Sequence, residues 1–372
     1  MIIAVPKETK DSELRVAITP AGVSEFVAHG HQVVVQAGAG IGSGIDDAHY
    51  LEAGAQIAPD AAATWAAGDM VLKVKEPVAS DYGFLREDQV LFTYLHLAAS
   101  PECTDAILAA GTTAIAYETV RRGPSLPLLA PMSEVAGRLA AQIGAFTLQQ
   151  PSGGSGILMG GVPGTRPAKV VVIGGGVAGE NAAAASAGLG ADVTIFDVNL
   201  ARLKEIDTDY RGRVKTLASS KHAIAREVAD ADLVIGSVLI PGAAAPKLVT
   251  LEMVEKMRPG SVLVDIAIDQ GGCFEGSHPT THAAPTYKVH DALYYCVTNM
   301  PGAVPQTSTA ALTNATLPYA LRIADKGWKQ AMVEDEGLAN GLMAHAGDVV
   351  FAPVAAALGR EHVSIQSVLA GA

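Results

Sequence analysis

A glycine-rich turn between two apolar runs constrains this chain more than any other segment. Residues 170–199 read VVVIGGGVAGENAAAASAGLGADVTIFDVN, so a short apolar run enters the glycines, an alanine-rich helix follows, and a second apolar run ends at Asp197. Gly174 allows a tight turn, Gly176 lets the backbone approach a pyrophosphate, and Gly179 lets the helix pack on the strand. A carboxylate about 20 residues after the turn can accept bonds from ribose hydroxyls. The segment therefore predicts a dinucleotide-binding βαβ unit.

The acid that ends the second run favours NAD over NADP. A carboxylate at Asp197 would repel a 2′-phosphate. Arg202 favours NADP instead, because an arginine nearby can bind that phosphate. A glycine-rich turn that binds nothing is the alternative interpretation of the same residues.

Composition leaves room for two domains and argues against several classes of protein. The chain has 372 residues, of which 17% are charged, and a net charge of −12. No apolar stretch reaches the roughly 18 residues that a membrane span needs, and the opening MIIAVPKETK has the pattern of a strand rather than a signal peptide. The acidic balance argues against a nucleic-acid partner. Cys103, Cys273 and Cys296 lack CxxC spacing, which predicts small buried thiols in a reducing cytoplasm.

Short apolar runs alternate with helical patterns in two sets. This alternation predicts an α/β protein with two doubly wound Rossmann-like domains and an interdomain cleft, joined by long helices. Residues 1–127 with 306–372 are expected to form a discontinuous substrate domain, and residues 128–305 an NAD-binding domain. The predicted strands are 2–5, 32–36, 70–74, 90–94 and 113–117 in the first set, and 170–173, 193–196, 233–237, 262–266 and 294–297 in the second.

Helices are predicted between these strands and after them. They cover 19–28, 46–53, 61–67, 101–110, 131–150, 308–324 and 331–345, and no further strand set is expected beyond Pro305. The segment 37–44 reads AGAGIGSG, which superficially resembles a nucleotide loop. No second strand with a terminal acid follows it at the right spacing, so a flexible turn is predicted there.

Two cationic residues lie near strand ends, where ligands bind in open α/β sheets. Arg15 follows the first strand and can bind a carboxylate through two hydrogen bonds, unless it is a solvated loop arginine. Lys75 lies near the end of the third strand, beside Lys73 and before Pro77. An ammonium there can polarise a carbonyl. A plain charged strand terminus is its alternative.

Further polar candidates follow other strands. His96 comes after the run VLFTYL and can transfer protons near neutral pH, with a structural histidine as the alternative. Asp269 stands where a strand meets a glycine-rich turn, so it can face the cofactor or simply form the turn. Ser133 can contact the cofactor or cap the helix at 131–150. His278 and His282 are four apart, but nothing nearby completes a ligand set, and no metal site is predicted.

Several segments together resemble the bacterial L-alanine dehydrogenase family. The resemblance runs from residue 1 to about the C-terminal helices, with a looser similarity to the NAD-binding part of proton-translocating transhydrogenase and to lysine-forming saccharopine dehydrogenases. The matching segments are the Gly174 turn, KETKDSELRVAITP, LKVKEP, LFTYLHLA, AYETV, LLAPMSEVAGRLAAQ, VDIAIDQGGCFEG and TNMPGAVPQTST.

The resemblance implies a role for each matching residue. Arg15 would bind the substrate carboxylate and Lys75 the keto acid. His96 would be the acid/base and Asp269 the second catalytic residue. His278 stands where family members often have arginine. Besides the turn glycines Gly174, Gly176 and Gly179, cofactor contacts would fall on Ser133, Val177, Asp197, Arg202, Ser219, Val238, Leu239, Ile266, Ala267, Ile268, Asp269, Val297, Thr298, Asn299 and Met300.

The activity implied is reversible NAD-dependent oxidative deamination of L-alanine to pyruvate and ammonia. Hydride transfer to NAD would precede imine hydrolysis, with His96 as acid/base. Three alternatives stay open: a stand-alone NAD(H)-binding hydride-transfer subunit of the transhydrogenase type, a dehydrogenase for another small amino acid such as glycine or 2-aminobutyrate, and a non-enzymatic NAD-sensing protein. The resemblance also implies a cytoplasmic homo-oligomer, commonly a hexamer.

Overall fold

Two mainly parallel β-sheets, each built from alternating strands and helices, organise the chain. The computed structural model describes residues 1–238 and 246–371. These residues divide into a first unit, Met1–Met132 with Val304–Ala372, and a second unit, Ser133–Ala303. The observed α/β class with two Rossmann-like sheets confirms the predicted fold class. The chain passes between the units at 132/133 and 303/304, against the predicted 127/128 and 305/306.

The strands and helices are numbered in chain order. The strands are β1 (Ile2–Val5), β2 (Gln32–Gln36), β3 (Gln56–Ala58), β4 (Met70–Leu72), β5 (Val90–Thr93), β6 (Thr113–Ala116), β7 (Lys169–Ile173), β8 (Asp192–Asp197), β9 (Val214–Ala218), β10 (Leu233–Gly236), β11 (Val262–Asp265), β12 (Thr286–Val289), β13 (Ala292–Tyr295), β14 (Leu342–His345) and β15 (Asp348–Val349). The helices are α1 (Pro20–Ala28), α2 (Asp47–Glu52), α3 (Ala61–Ala67), α4 (Pro101–Ala110), α5 (Ala130–Thr147), α6 (Val177–Gly188), α7 (Leu200–Tyr210), α8 (Lys221–Ala229), α9 (Leu251–Glu255), α10 (Pro305–Lys326), α11 (Trp328–Glu334), α12 (Glu336–Ala339), α13 (Ala352–Leu358) and α14 (Ile365–Ala370).

The sheet of the first unit has the order β15-β14-β6-β5-β4-β1-β2-β3. Strands β1 to β6 run parallel to their neighbours, whereas β14 and β15 pair antiparallel at one edge. Because β1 pairs with both β2 and β4, the strand order reverses between β1 and β4. In open α/β sheets, ligands bind outside the carboxyl ends of the strands at such a reversal.

The sheet of the second unit has the order β12-β13-β11-β10-β7-β8-β9, parallel except for the β12–β13 hairpin. Its order reverses between β7 and β10, because β7 pairs in parallel with both β8 and β10. The central strands are buried on both faces, as expected for a parallel sheet covered by helices. The glycine turn at Gly174 follows β7 directly, so it lies at this reversal.

The predicted helix over 331–345 is wrong. Helices α11 and α12 end by Ala339, and Leu342–His345 forms strand β14, which pairs with β6. A Cβ on Gly341 would come within 3.0 Å of Ile115 and Val120 side-chain atoms, so the chain passes close to β6 at this point. Pairing with a distant strand therefore overrides a helical pattern of residues.

Other boundaries shift by small amounts. Strand β4 ends at Leu72 rather than at residue 74, so Lys73 lies beyond the strand. The short strands β3, β9 and β12 were not predicted, and β13 begins and ends two residues before the predicted 294–297. Helix α5 begins at Ala130, so Ser133 lies inside its first turn and does not cap it.

Asp232 provides a stability test in the second unit. Its buried carboxylate accepts two hydrogen bonds from Arg166, at 2.6 and 3.0 Å, and one from the Lys169 amide. Burial raises its pKa, but these bonds outweigh burial and leave the pKa below the ordinary 3.8. We expect Asp232→Asn to lower the free energy of unfolding by about 1–3 kcal/mol, measured by urea denaturation. Because the folded-state pKa is depressed, this contribution is present above pH 3.8 and is lost as the pH falls through the lower folded-state value.

Asp230→Asn is the matched control. Asp230 lies 3.4 Å from Arg258, but its side chain is 67% exposed, so no measurable change is expected. Equal losses in the two variants would contradict the role given to Asp232.

Candidate active site

Four polar residues follow four neighbouring strands of the first unit. In sheet order, Glu118 follows β6, His96 follows β5, Lys75 follows β4, and Arg15 lies in the segment after β1. Because these strands are parallel, their carboxyl ends meet at one edge of the sheet. After burial, the charge of Arg15 is the largest cause of the lowered pKa of the Lys75 ammonium. The pair belongs to the segments after β4 and β1, the two strands that flank the reversal.

Arg15 is a buried arginine, only 2% exposed, which excludes the alternative of a solvated loop residue. Glu13 accepts from its Nε at 2.6 Å and from its Nη2 at 2.5 Å, while Nη1 lies 3.0 Å from the sulfur of Met132. Burial lowers the pKa of Arg15, but the bonds to Glu13 raise it by more, so the guanidinium stays charged. A buried, fixed guanidinium is suited to binding a carboxylate through paired hydrogen bonds.

Lys73 and Lys75 differ sharply although they are two residues apart. Lys73 is 1% exposed and pairs with Glu8 at 3.1 Å and with Asp81 at 3.6 Å. Glu8 also accepts the Val74 amide at 2.6 Å, which fixes the backbone before Lys75. Burial lowers the pKa of Lys73, but its two carboxylates raise it by more.

Lys75, by contrast, makes no ion pair or hydrogen bond through Nζ within residues 1–238 and 246–371. It is half-buried, and burial together with the neighbouring Arg15 lowers the pKa of its ammonium. A partly buried cation that lacks a protein partner and has a perturbed pKa is typical of a functional site. An anionic or carbonyl-bearing ligand would supply the missing partner.

His96 adopts a left-handed backbone conformation, with φ of 47°. Such a conformation is uncommon for a residue with a side chain and requires support from its surroundings. Glu118 supplies that support, since it accepts the His96 amide at 2.8 Å and the Leu95 amide at 3.3 Å. Its Oε1 lies 3.9 Å from His96 Nδ1, and the His96 ring, 40% exposed, lies parallel to that of Tyr94. The imidazole therefore remains accessible beside a carboxylate.

The segment 37–44 is a packed 3₁₀ turn rather than the predicted flexible turn. Ser43 is buried, and its hydroxyl donates to the Leu14 carbonyl at 3.0 Å and lies 2.8 Å from the Thr309 hydroxyl. Thr309 also accepts the Val16 amide at 3.1 Å. The glycines let this turn approach the backbone, because a Cβ at Gly42 would come within 2.7 Å of Leu14. The turn thus fixes the chain on both sides of Arg15.

The glycine turn of the second unit has the geometry that a dinucleotide requires. Gly174 has φ of 105°, and a Cβ at Gly179 would overlap the Gly174 carbonyl oxygen. A Cβ at Gly176 would meet nothing within 4 Å, so this glycine faces open space at the start of α6. The turn is therefore closed where helix and strand pack and open where a pyrophosphate would lie at the helix N-terminus. These residues fit a dinucleotide.

Asp197 and Arg202 lie beside this turn. The Asp197 carboxylate accepts the Gly175 amide at 2.6 Å and the Asn199 amide at 2.8 Å. Arg202 donates to the Gly175 carbonyl at 2.7 Å and pairs with Glu180 and with Glu205. The guanidinium is thus compensated by two carboxylates.

Ser237 and Ser219 are further neighbours of the turn. The buried Ser237 hydroxyl donates to the Gly174 carbonyl at 3.0 Å, a contact that the sequence did not reveal. Ser219, which follows β9, donates its amide to the Asp197 carbonyl at 2.9 Å. Val238 is half-buried and faces Gly174, whereas the predicted contact Leu239 lies outside the described residues.

Asp265 shapes the loop that carries Asp269. It is fully buried at the end of β11 and accepts the Cys273 amide at 2.9 Å and the Ser277 hydroxyl at 2.7 Å. Burial raises its pKa in spite of these bonds. Ala267 and Ile268 are buried, Ile266 is half-buried, and Asp269 is exposed in the 3₁₀ turn Ile268–Gln270. Asp269 therefore lies beyond the carboxyl end of β11, and β10 separates β11 from β7, the strand that precedes the glycine turn.

The remaining predicted contacts differ in exposure. Val297 and Met300 are buried, Thr298 is exposed, and the Asn299 carbonyl lies 2.9 Å from His282 Nε2. Val177 is 41% exposed at the start of α6, and Ser133 is half-buried.

His278 is exposed and stacks on the Tyr287 ring at 3.7 Å. Among the described residues there is no cluster of three His, Cys, Asp or Glu side chains that could hold a metal ion. Within the same residues, no helix is long and apolar enough to cross a membrane. The three cysteines are buried free thiols, as predicted.

Comparison with known proteins places this chain in a family. Residues 4–136 match the N-terminal domain, and residues 140–352 the C-terminal domain, of the family described as alanine dehydrogenase/PNT. This chain belongs to the alanine dehydrogenase/PNT family. An alanine dehydrogenase of Mycobacterium tuberculosis is 58% identical over 371 residues, covering 100% of both chains. One of Bacillus subtilis is 56% identical over 370 residues, covering 99% of this chain and 98% of its own.

Two solved structures agree with this assignment. An L-alanine dehydrogenase superposes with a TM-score of 0.93 at 50% identity, over 96% of this chain and 99% of that one. A transhydrogenase from Sinorhizobium meliloti has a TM-score of 0.80 at 30% identity, over 95% and 99% of the two chains. The chain is an oxidoreductase with a Rossmann-like fold, and its family implies a nicotinamide dinucleotide cofactor.

Proposed function

We propose that this chain catalyses the reversible NAD-dependent oxidative deamination of L-alanine to pyruvate and ammonia. The observation that carries the proposal is the pair of cations after β1 and β4. Arg15 is buried and fixed by Glu13, and Lys75 is half-buried without a protein partner among the described residues. Two adjacent cations suit a substrate that carries both a carboxylate and a carbonyl oxygen, as a 2-oxo acid does. In this proposal the first unit is the substrate domain and the second is the NAD-binding domain.

Different side chains of the first unit bind the substrate and transfer protons. Arg15 holds the substrate carboxylate through paired hydrogen bonds. Lys75 stabilises the oxygen that becomes the carbonyl of pyruvate. His96 takes a proton from the water that attacks the imine and later returns it to the departing ammonia. When bound, the nicotinamide supplies the acceptor for the α-hydride.

Asp269 is the second catalytic residue of this proposal, orienting water or ammonia and stabilising cationic intermediates. Asp269 is exposed in a short turn after β11, which supports such a role. Asp265 accepts hydrogen bonds from Cys273 and Ser277, which follow this turn in the chain. The cofactor contacts are proposed at the residues that the resemblance implies.

The charges beside the glycine turn support NAD rather than NADP. Asp197 presents a carboxylate beside the glycine turn, and Arg202 pairs with Glu180 and with Glu205. An arginine already compensated by two carboxylates is a poor receptor for a 2′-phosphate, and Asp197 would repel one. We therefore propose NAD as the cofactor.

We also propose a cytoplasmic homo-oligomer, with a hexamer as the expected form. Several large apolar side chains of the second unit are exposed, including Phe146 at 64% and Leu158 at 63%. Contacts between copies would remove such surface from water. Light scattering of the purified protein measures the assembly directly.

The assay that tests the function follows NADH absorbance with NAD and a panel of L-amino acids. L-Alanine is expected to give the highest kcat/KM, with glycine and 2-aminobutyrate lower, and NADP is expected to replace NAD poorly. The reverse reaction is expected to require both pyruvate and ammonia.

Absence of an alanine-dependent signal would exclude L-alanine as the substrate, but the assignment of the fold would still hold. Activity only in the presence of an NADP-binding membrane partner would point to a transhydrogenase-type subunit. Tight NAD binding without turnover of any amino or keto acid would point to a sensing protein.

A further inference from the structure

Glu13 holds the guanidinium of Arg15 along one edge. Its Oε1 accepts from Nε at 2.6 Å and from the Arg15 amide at 3.1 Å, and its Oε2 accepts from Nη2 at 2.5 Å. The side chains of the pair are 0% and 2% exposed. A buried, charge-assisted bidentate pair fixes the orientation of the guanidinium plane as well as its position.

The ion pair with Glu13 determines which edge of Arg15 meets a ligand. A guanidinium has two edges with paired N–H donors, one formed by Nε and Nη2 and the other by Nη1 and Nη2. Glu13 occupies the first edge, so a substrate carboxylate would approach the second. On that edge, Nη1 lies 3.0 Å from the thioether sulfur of Met132, which is a weak acceptor.

Glu13 also contributes to the charge balance around Lys75. The charged groups that act on the Lys75 ammonium are the cations Arg15 and Lys10 and the carboxylates Glu76 and Glu13. Burial, followed by the charge of Arg15, lowers the pKa of Lys75, whereas the charge of Glu13 raises it. Without the Glu13 carboxylate, Arg15 would repel the ammonium with less compensation, and Lys75 would lose its proton at a lower pH.

We propose that Glu13 is a positioning residue for substrate binding, which orients Arg15 toward the carboxylate of a 2-oxo or amino acid and keeps Arg15 and Lys75 cationic side by side. This inference rests on the proposed function. It assigns a role in recognition to a residue that would itself not touch the substrate. The Glu13–Arg15 pair affects substrate binding more than proton transfer. The proton-transfer residue, His96, follows a different strand, and its backbone amide is bound by Glu118.

Glu13→Gln in the full-length enzyme tests the proposal with NADH, ammonia and varied pyruvate. The amide keeps the size of the side chain but removes the charge and one acceptor. We expect the KM for pyruvate to rise about 10- to 100-fold while kcat changes less than about threefold. The alkaline limb of the pH profile of kcat/KM is expected to move to lower pH. Glu13→Asp, which keeps the charge, is expected to restore part of the affinity and most of the pH profile.

Asp232→Asn is the control for lost stability, since it also removes a buried carboxylate from an arginine but lies in the second unit, before β10. It is expected to lower the melting temperature without changing the KM for pyruvate. A double-mutant cycle with Arg15→Lys shows whether Glu13 acts through Arg15. In the Arg15→Lys background, Glu13→Gln is expected to raise KM further by no more than about twofold.

Two outcomes overturn different parts of the argument. If the wild type oxidises alanine but Glu13→Gln retains its KM and pH profile, the positioning role is wrong and the proposed function stands. If the wild type turns over no amino or keto acid, the proposed function is wrong and this inference fails with it. Should Glu13→Gln fail to fold by circular dichroism, Glu13→Asp decides the question through its own KM, since an unchanged value in that variant would also overturn the role.

Discussion

Replacing His96 with asparagine is expected to lower kcat by about 10² to 10⁴, the usual contribution of a general acid/base. Asparagine is the informative substitution because His96 has φ of 47°, and asparagine tolerates the left-handed region better than alanine does. The loss therefore reports on proton transfer rather than on backbone strain. Initial rates of NADH formation from alanine, measured across the pH range, give the comparison, and His96→Ala is expected to lose at least as much.

His290→Asn is the matched control for this variant. His290 is also left-handed, with φ of 52°, and lies exposed between β12 and β13. Its replacement is expected to leave both kcat and the melting temperature unchanged. Near-wild-type turnover of His96→Asn at every pH would remove His96 from the mechanism.

Replacing Gly176 with alanine is expected to weaken NAD binding by about 10- to 100-fold with little effect on the fold. A Cβ at Gly176 would meet no atom within 4 Å, so the protein itself has room for a methyl group. Alanine is a poorer N-cap than glycine, so the substitution is expected to lower the free energy of unfolding by about 1 kcal/mol. The bound pyrophosphate, however, needs that space to approach the backbone. Calorimetric titration with NAD, alongside thermal unfolding, measures the two effects separately.

Gly188→Ala provides the control on the same helix. Gly188 is the last residue of α6, and its Cβ would likewise meet nothing within 4 Å. Unchanged NAD affinity is expected there. Gly179→Ala should behave differently from both, because its Cβ would overlap the Gly174 carbonyl and disturb the turn itself. Wild-type affinity for NAD in Gly176→Ala would contradict the placement of the pyrophosphate at this turn.

Much of the fold could be predicted because its signals are local. In a parallel sheet, each buried strand is a short apolar run and each helix a periodic one, and both patterns lie within a dozen residues. Strand β7, the glycine turn and helix α6 follow one another directly, so a single continuous segment encodes the dinucleotide unit. The rule that ligands bind beyond strand ends similarly selected Arg15, Lys75 and His96 from the sequence.

The errors occur where a distant partner decides the conformation. Leu342–His345 carries a sequence compatible with helix, yet it forms β14 because it pairs with β6, more than 200 residues earlier in the chain. The glycines of 37–44 suggest flexibility, but Ser43 is held by Leu14 and Thr309. Neither contact can be inferred from the neighbouring residues.

The sequence by itself determined the α/β class, the cofactor turn and the strand ends at which the polar residues lie, because each depends on neighbours in the chain. Only the tertiary structure decided how those residues are charged and held. It brings Glu8 to Lys73 and Glu118 to His96, and it leaves Lys75 without a protein partner among the described residues. Burial and ion pairing depend on side chains that are far apart in sequence, so the difference between two lysines two residues apart emerges only when the chain is folded.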